Sequence, residues 1–367
     1  MTRNLAPAVL IAILLTRAAV ASEPGRDQFL LGADVSLLPK LESAGVVYKD
    51  AGKPGDVIEM LRVRGANCIR LRLFVNPSCK GSVVNDLPYT IALARRVKRA
   101  GMKIILAVHY SDVWADPGDQ TLPSAWQSLS FPKLVDKVQN YTAGVVTALA
   151  KAGATPDVVQ VGNEITNGML WPYARFDDHA EDSQKVNFDR LSELLKAGVR
   201  GVRSAEGNRR IKIMLHLSRG ADRGVPKWFF DHITARDVPF DLIGLSFYPF
   251  MGDKMQNLHD NIIEAHELYQ KPVVVAETAF PWRNIEHPDP KEQLGENPQT
   301  PEGQKQFLRD LISMVRTVSP RGGVIYWCPE FVLVKGSGIN GWWAGELSLF
   351  DENANALPAL DAFREEK

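Results

Sequence analysis

The sequence predicts an α/β fold, a single (β/α)8 TIM barrel with extended βα loops. Three observations carry this. Eight short apolar runs of strand length alternate with stretches whose apolar residues recur every three or four positions. Polar and aromatic residues gather where those runs end, the edge at which parallel barrels place their chemistry. No Gly-x-Gly-x-x-Gly follows the first run and the sequence contains no phosphate loop, which counts against the alternative, a doubly wound open sheet.

The first strand is predicted over 28–35, a run that ends beside Asp34 and Ser36. A helix over 56–64 follows on Val57, Met60 and Leu61, stopped by Gly65. The second strand, 68–74, alternates Arg70 and Arg72 with apolar residues. Inside a barrel those guanidinium groups need carboxylate partners. A basic-faced helix over 91–100 leads to the third strand, 102–110, which closes in His109-Tyr110. Leu134, Val138, Tyr141, Val145 and Leu149 form one helix face, ended by Gly153. The fourth strand, Val158-Val159-Gln160-Val161, breaks abruptly into Gly162-Asn163-Glu164. Leu191, Leu195, Val199 and Val202 mark the next helix, and strands are predicted over 211–216 and 242–248. A helix over 261–269 precedes the seventh strand, Val273-Val274-Val275-Ala276-Glu277. Leu308, Leu311, Val315 and Val318 make a further helix face, 324–327 the last strand, and 357–363 a closing helix.

Composition excludes some partners. With 43 basic and 43 acidic side chains the formal net charge is zero, so neither nucleic acid nor an anionic membrane is expected as a partner. The N-terminus has the three parts of a secretory signal: Arg3, an apolar run over 5–15, and the small-x-small site Ala19-Val20-Ala21. The expected organisation is a signal peptide over 1–21 and a barrel domain over 22–367, with a secreted or periplasmic location. The apolar run is too short to span a bilayer, and no Cys near the cleavage site suggests a lipoprotein. Three Cys allow at most one disulfide within the chain. Buried free thiols are expected at Cys68 and Cys328, while a Cys68–Cys79 bridge stays open. No Cys or His spacing suits a metal site. The triplet Asn140-Tyr141-Thr142 fits a glycosylation sequon but falls inside a predicted helix.

Two carboxylates at the ends of Val-rich strands, Glu164 and Glu277, are the minimum equipment of a typical glycosidase. Arg72 and Tyr248 are expected to hydrogen-bond Glu277 and hold it ionised, and Glu164 to need a raised pKa to act as the acid. Seven Trp lie near strand ends or in the loops beyond them: Trp114, Trp126, Trp171, Trp282, Trp327, Trp342 and Trp343. Flat aromatic rings match the apolar faces of sugars, though any one Trp is as readily a packing residue. Trp327, ending a strand, is the best candidate for a sugar platform.

These residues carry a resemblance. The run from His109 through Tyr110, Ser111, Asp112, Val113 and Trp114 to Gly118, with Pro123 and Trp126 beyond it, resembles the signature of the endo-β-1,4-galactanases of glycoside hydrolase family 53. So do Gly162-Asn163-Glu164-Ile165 with Trp171-Pro172, Gly32-Ala33-Asp34-Val35-Ser36, Arg70-Leu71-Arg72, Ser246-Phe247-Tyr248-Pro249-Phe250 and Ala276-Glu277-Thr278. The likeness runs from about Gly32 to Pro358. It implies a retaining mechanism with Glu164 as acid/base and Glu277 as nucleophile, acting inside the β-1,4-galactan side chains of pectin. Asp34, Arg72, His109, Asp112, Trp114, Asn163, Tyr248 and Trp327 are then the expected substrate-binding residues. No cofactor is required and a monomer is expected.

Three departures from that pattern stand out. Cys328 occupies a position that is usually acidic, and Ala279-Phe280-Pro281-Trp282 differs from the usual forms. The loop over 283–300 lacks the Asp/Gly-rich calcium-binding run of some bacterial relatives; its His287, Asp289 and Glu292 do not make an oxygen cage. Calcium is therefore not supported. Two other readings remain open: a retaining glycosidase on another β-1,4-glycan such as mannan or cellulose, and a barrel that binds glycans without cleaving them.

Overall fold

The computed structural model describes residues 28–176, 181–207, 210–285, 297–336, 338–339 and 344–364. The expected signal peptide, Trp342, Trp343, His287, Asp289 and Glu292 lie outside the described residues.

Eight parallel strands close into a barrel. They are β1 (Leu30–Asp34), β2 (Cys68–Leu73), β3 (Lys103–Val108), β4 (Val158–Val161), β5 (Lys212–Leu217), β6 (Leu242–Phe247), β7 (Val273–Thr278) and β8 (Gly323–Trp327). Each strand pairs with its chain neighbours, and β1 closes the ring by pairing with β8 from Leu30↔Gly323 to Asp34↔Trp327. At Gly32 on β1 a Cβ would sit 1.9 Å from the Cys68 carbonyl oxygen, so only glycine lets β1 and β2 approach this closely.

The strand-by-strand expectation holds. Among the described residues each of the seven intervals between successive strands holds a helix: α1 (Val57–Arg62), α2 (Leu87–Arg99), α3 (Phe131–Lys151), α4 (Glu181–Ala205), α5 (Val225–Thr234), α6 (Met255–Tyr269) and α7 (Pro301–Val318), with a further short helix, Leu38–Ser43, directly after β1. Side-chain caps start α1, α2 and α7: Asp56 accepts from the Ile58 and Glu59 amides, Asp86 from Tyr89 and Thr300 from Gly303. The second helix therefore begins at Leu87, before the predicted 91, because Asp86 and Pro88 form its first turn. The sequence reading named no residues for α5, although its buried Pro226, Phe229, Phe230 and Ile233 recur at helical spacing. The closing segment is a 3-10 helix, Pro358–Phe363, rather than an α-helix.

Pleating divides the apolar residues into two layers. Leu31, Ile69, Val159, Leu215, Ile243, Val275 and Tyr326 face out against the helices. Leu30, Cys68, Ile105, Val158, Met214, Leu242, Val274, Ala276 and Ile325 fill the barrel interior. Burying each large side chain of these layers is worth about 1.5–3 kcal/mol, so the barrel floor is fixed independently of the polar residues above it. The next inward positions are polar. Asp34, Arg70, Arg72, Gln160, His216 and Ser246 are all buried. Cys68 and Cys328 are buried and free, and Cys79 is exposed and free, so no bridge joins Cys68 to Cys79. Among the described residues no helix is long and apolar enough to cross a membrane.

Candidate active site

Two local devices bring the carboxyl groups to the mouth. After β4 the chain turns through two left-handed residues, Gly162 (φ 82°) and Glu164 (φ 47°). For a non-glycine residue that conformation costs ~1–2 kcal/mol. It lifts Glu164 out of the strand and over the barrel opening. On β7 the alternation places Val274 and Ala276 inside and Val275 outside. Uninterrupted, it would send Glu277 out against the helices. A bulge prevents this: Leu245 pairs with Val275 but Ser246 with Glu277, and the register to β8 jumps between Val275 and Thr278. The extra residue returns Glu277 to the inner face beside Ser246.

Both carboxyls line one cleft of about 840 Å³ at the C-terminal mouth. Their surroundings differ. Glu277 Oε1 is 2.8 Å from Arg70 Nη2, and Oε2 accepts from the Tyr248 hydroxyl at 3.0 Å. Burial raises the Glu277 carboxyl above its ordinary value, while the Arg70 guanidinium and Tyr248 pull it back down. Glu164 contacts a neutral hydroxyl, Ser246 Oγ, 2.6 Å from its Oε1. Burial and then the charge of Glu277 push Glu164 up to about 8. A pair of carboxyls driven apart in this way can supply an acid and an anion at the same pH.

Arg70, not Arg72, therefore grips Glu277. Arg70 is 1 % exposed and uses its whole fork. It donates to Asp34 Oδ2 (2.8 Å), Gln160 Oε1 (3.1 Å) and Asn163 Oδ1 (2.7 Å), and forms an ion pair with Glu277. Both arginines share the inward face of β2, so alternation alone could not rank them. Arg72 lines the cleft instead, its guanidinium stacked 4.1 Å from the centre of the Trp114 ring with Nη1 3.9 Å from Cys328 Sγ. Its Nε and Nη2 have no partner among the described residues.

Of the other expected binding residues, His109, Trp114, Asn163, Tyr248 and Trp327 line the cleft. Trp114 and Trp327 lie 6.3 Å apart, centre to centre, along one wall. His109 is held by the Ala115 amide, which donates to its Nδ1 at 3.1 Å, and its Nε2 has no partner among the described residues. Burial, with Arg70 next in effect, holds its pKa well below the ordinary histidine value. Asp34 does not reach the cleft. It is fully buried below it, accepting from Arg70 and from the Ser36 hydroxyl. Asp112 does not reach it either. Its oxygens accept from the amides of Asn76 and Ser124 and from the Ser124 hydroxyl, so it ties the loop after β3 to the loop after β2. Trp126 is a core residue, 1 % exposed and packed edge-on against Tyr141. Trp171 and Trp282 are half-buried away from the cleft, donating to the carbonyls of Asn167 and Gly345. Gln160 was not singled out from the sequence, and Arg70, His216 and Ser246 were visible there only as polar residues on strands or within motifs, with no place in the site; their inward position near a strand end is the signal they share.

A family model, Glycosyl hydrolase family 53, matches residues 30–363. The chain belongs to glycoside hydrolase family 53. It is thus a glycoside hydrolase, and its fold and cleft are those of a polysaccharide-cleaving barrel. Among its relatives, an uncharacterized protein of Niallia circulans is 39% identical, over 92% of this chain and 94% of that protein. A probable arabinogalactan endo-β-1,4-galactanase A of Aspergillus tubingensis is 36% identical, over 84% of this chain and 87% of its own length. A solved structure from a study of two fungal β-1,4-galactanases superposes with a TM-score of 0.81 and 31% identity, covering 92% of this chain and 99% of the other.

Proposed function

We propose that this family 53 enzyme is an endo-acting β-1,4-galactanase that cleaves the (arabino)galactan side chains of pectin with retention of configuration. One observation carries the mechanism: two carboxyls share a cleft, one clamped by a guanidinium and a phenol, the other hydrogen-bonded to a neutral hydroxyl. Glu277 is the nucleophile, because Arg70 and Tyr248 favour its anion and aim its oxygens. Glu164 is the acid/base, because its raised pKa keeps a proton available for the leaving oxygen. Glu277 attacks the anomeric carbon as Glu164 protonates the departing sugar oxygen. Glu164, now a carboxylate, then takes a proton from the water that releases the glycosyl-enzyme. Trp114 and Trp327 supply ring faces for sugars along the wall, and His109 Nε2 and Asn163 supply polar contacts. The two carboxyls and water suffice for these steps, so no cofactor is invoked. Galactan as substrate rests on the galactanases among the relatives. Export rests on the signal pattern at the N-terminus.

The test is reducing-sugar release from debranched β-1,4-galactan, mannan, xylan and carboxymethyl-cellulose, with product sizing and NMR of the first anomer formed. Short galacto-oligomers released as the β-anomer are expected. Activity on another glycan alone would sink the substrate, and an initial α-anomer would sink retention. Glu164→Gln and Glu277→Gln should each lower turnover by several orders of magnitude in a folded chain; near-normal turnover removes that residue from its role.

A further inference from the structure

Behind Glu164 a chain of buried side chains runs across the barrel interior from Arg70 to Ser246, and the chemistry of one end dictates the hydrogen positions along the rest. Arg70 can only donate. Its Nε and Nη2 therefore turn the Gln160 amide oxygen and Asn163 Oδ1 toward it, at 3.1 and 2.7 Å. Gln160 Nε2 then donates to Asn163 Oδ1 at 2.8 Å and to the Gly162 carbonyl at 2.9 Å. Asn163 Nδ2 donates to the Ala115 carbonyl at 2.8 Å. No flip of either amide survives these contacts. His216 Nδ1 lies 3.1 Å from Asn163 Oδ1, an oxygen fixed as an acceptor, so that nitrogen must carry the hydrogen. The ring is fully buried, and burial and Arg70 hold its pKa well below the ordinary value. It is neutral, and its other nitrogen, Nε2, is bare. That nitrogen sits 3.0 Å from Ser246 Oγ, which lies 2.6 Å from Glu164 Oε1. Ser246 has one hydrogen and two neighbours that can accept it.

We infer that Ser246 and His216 form a two-position hydrogen switch that sets how tightly Glu164 holds its proton. With Glu164 protonated, every contact is satisfied: Glu164 donates to Ser246 Oγ, Ser246 donates to His216 Nε2, and His216 Nδ1 donates to Asn163. When Glu164 turns its O–H from Ser246 to the leaving oxygen and gives up the proton there, the Ser246 hydrogen swings to the new carboxylate. His216 Nε2 then faces a hydroxyl lone pair with nothing to accept. No proton leaves the pair, and Glu164 recovers its own from water in the second step. His216 thus opposes ionisation of Glu164 and Ser246 favours it, while one hydroxyl keeps the carboxyl in the same place in both states. The charged or titratable groups facing the pair are Arg70 from β2, His109 from β3, Asp116 from the loop beyond β3, and Glu277 from β7. Ser246 and His216 are positioning residues for the reaction, and the switch rests on Glu164 being the acid/base.

The experiment is the pH dependence of kcat/KM on galactan for the full chain and two variants, with melting curves to confirm folding. Its basic limb reports the group that must be protonated. In His216→Phe the Ser246 hydrogen belongs to Glu164 alone, and the basic limb moves down by about 1–2 pH units, the worth of a buried acceptor no longer left unpaired. In Ser246→Ala the carboxylate loses its donor and the limb moves up. Opposite shifts support the switch. Shifts of the same sign, or unmoved limbs in folded variants, overturn it. Glu164→Gln distinguishes the two failures: if it keeps its turnover, the acid assignment has fallen along with the switch. Nitrogen NMR of the unmodified chain below the basic limb gives an answer that needs no variant: His216 should carry its hydrogen on Nδ1. Finding it on Nε2 would overturn the proposal.

Discussion

Replacing Arg70 by Met tests the electrostatic frame of the site most directly. Arg70 is 1 % exposed and pairs at 2.8 Å with both Asp34 and Glu277, which are 0 % and 9 % exposed. Met matches the length of the stem but removes the charge and all five donors. Breaking a buried ion pair from one side costs about 3–5 kcal/mol, because the remaining charge stays buried without compensation. At ~2.1 cal/mol/K of unfolding entropy per residue, a chain of this size should lose about 4–6 °C in Tm. Part of the cost is relieved if Glu277 takes up a proton. Arg70 is the strongest influence lowering the Glu277 pKa, and an opposite charge in contact is worth ~1–3 units. The acidic limb of kcat/KM reports the group that must be ionised, so it should move to higher pH by about that amount. Arg70→Lys restores a point charge without the fork and should recover only part of the shift. The assay is galactan cleavage from pH 3 to 9 beside differential scanning fluorimetry. A folded Arg70→Met variant that melts like the parent and keeps its acidic limb would refute the assignment of Arg70 as the clamp on Glu277.

Thermal stability should fall between pH 5 and pH 8. Burial raises both Glu164 and Glu330 to about 8, so the folded chain keeps protons that the unfolded chain releases above ~4.3. The unfolded state then binds fewer protons, and stability declines as pH rises. Glu330→Gln keeps an acceptor for the Leu37 amide and should shrink the drop in Tm between those two pH values; an unchanged drop would show that Glu330 does not titrate in that range. Trp327→Ala should raise KM on galacto-oligomers about tenfold or more with little loss of Tm, since Trp327 is only half-buried in the cleft wall; a large drop in Tm with unchanged kinetics would make it a packing residue. A thiol reagent should label Cys79 alone in the native chain and all three Cys after unfolding, given their exposure; two labels in the native state would place Cys68 or Cys328 within reach of solvent.

The barrel and the two carboxyls at its mouth were legible in the sequence because their causes are local. A Val-rich run ending in Glu encodes burial along a strand and a polar terminus, and the alternation of such runs with helical faces implies parallel pairing. The helix starts at Asp86 and Thr300 are equally local in cause, residing in capping residues, yet the apolar spacing marked those helices only from 91 and from Leu308. What the chain order could not express is which side chains meet across the barrel. Arg70 and Arg72 occupy equivalent inward positions on β2, yet one reaches Glu277 while the other stacks on Trp114. That choice depends on how deep each residue sits. Asp34 and Asp112 are acids beside strand ends, as Glu164 is, but closure of the ring buries Asp34 beneath the cleft and loop packing occupies Asp112. The orientation of Glu277 depends on a bulge that no spacing in Val273-Val274-Val275-Ala276-Glu277 announces, because register is a property of paired strands. The chain from Arg70 to Ser246 draws its residues from β2, β4, β5 and β6. The sequence by itself determined the residue types and the strands that carry them. Only the closed barrel, by fixing depth, register and cross-strand distance, decided which of them act on which carboxyl.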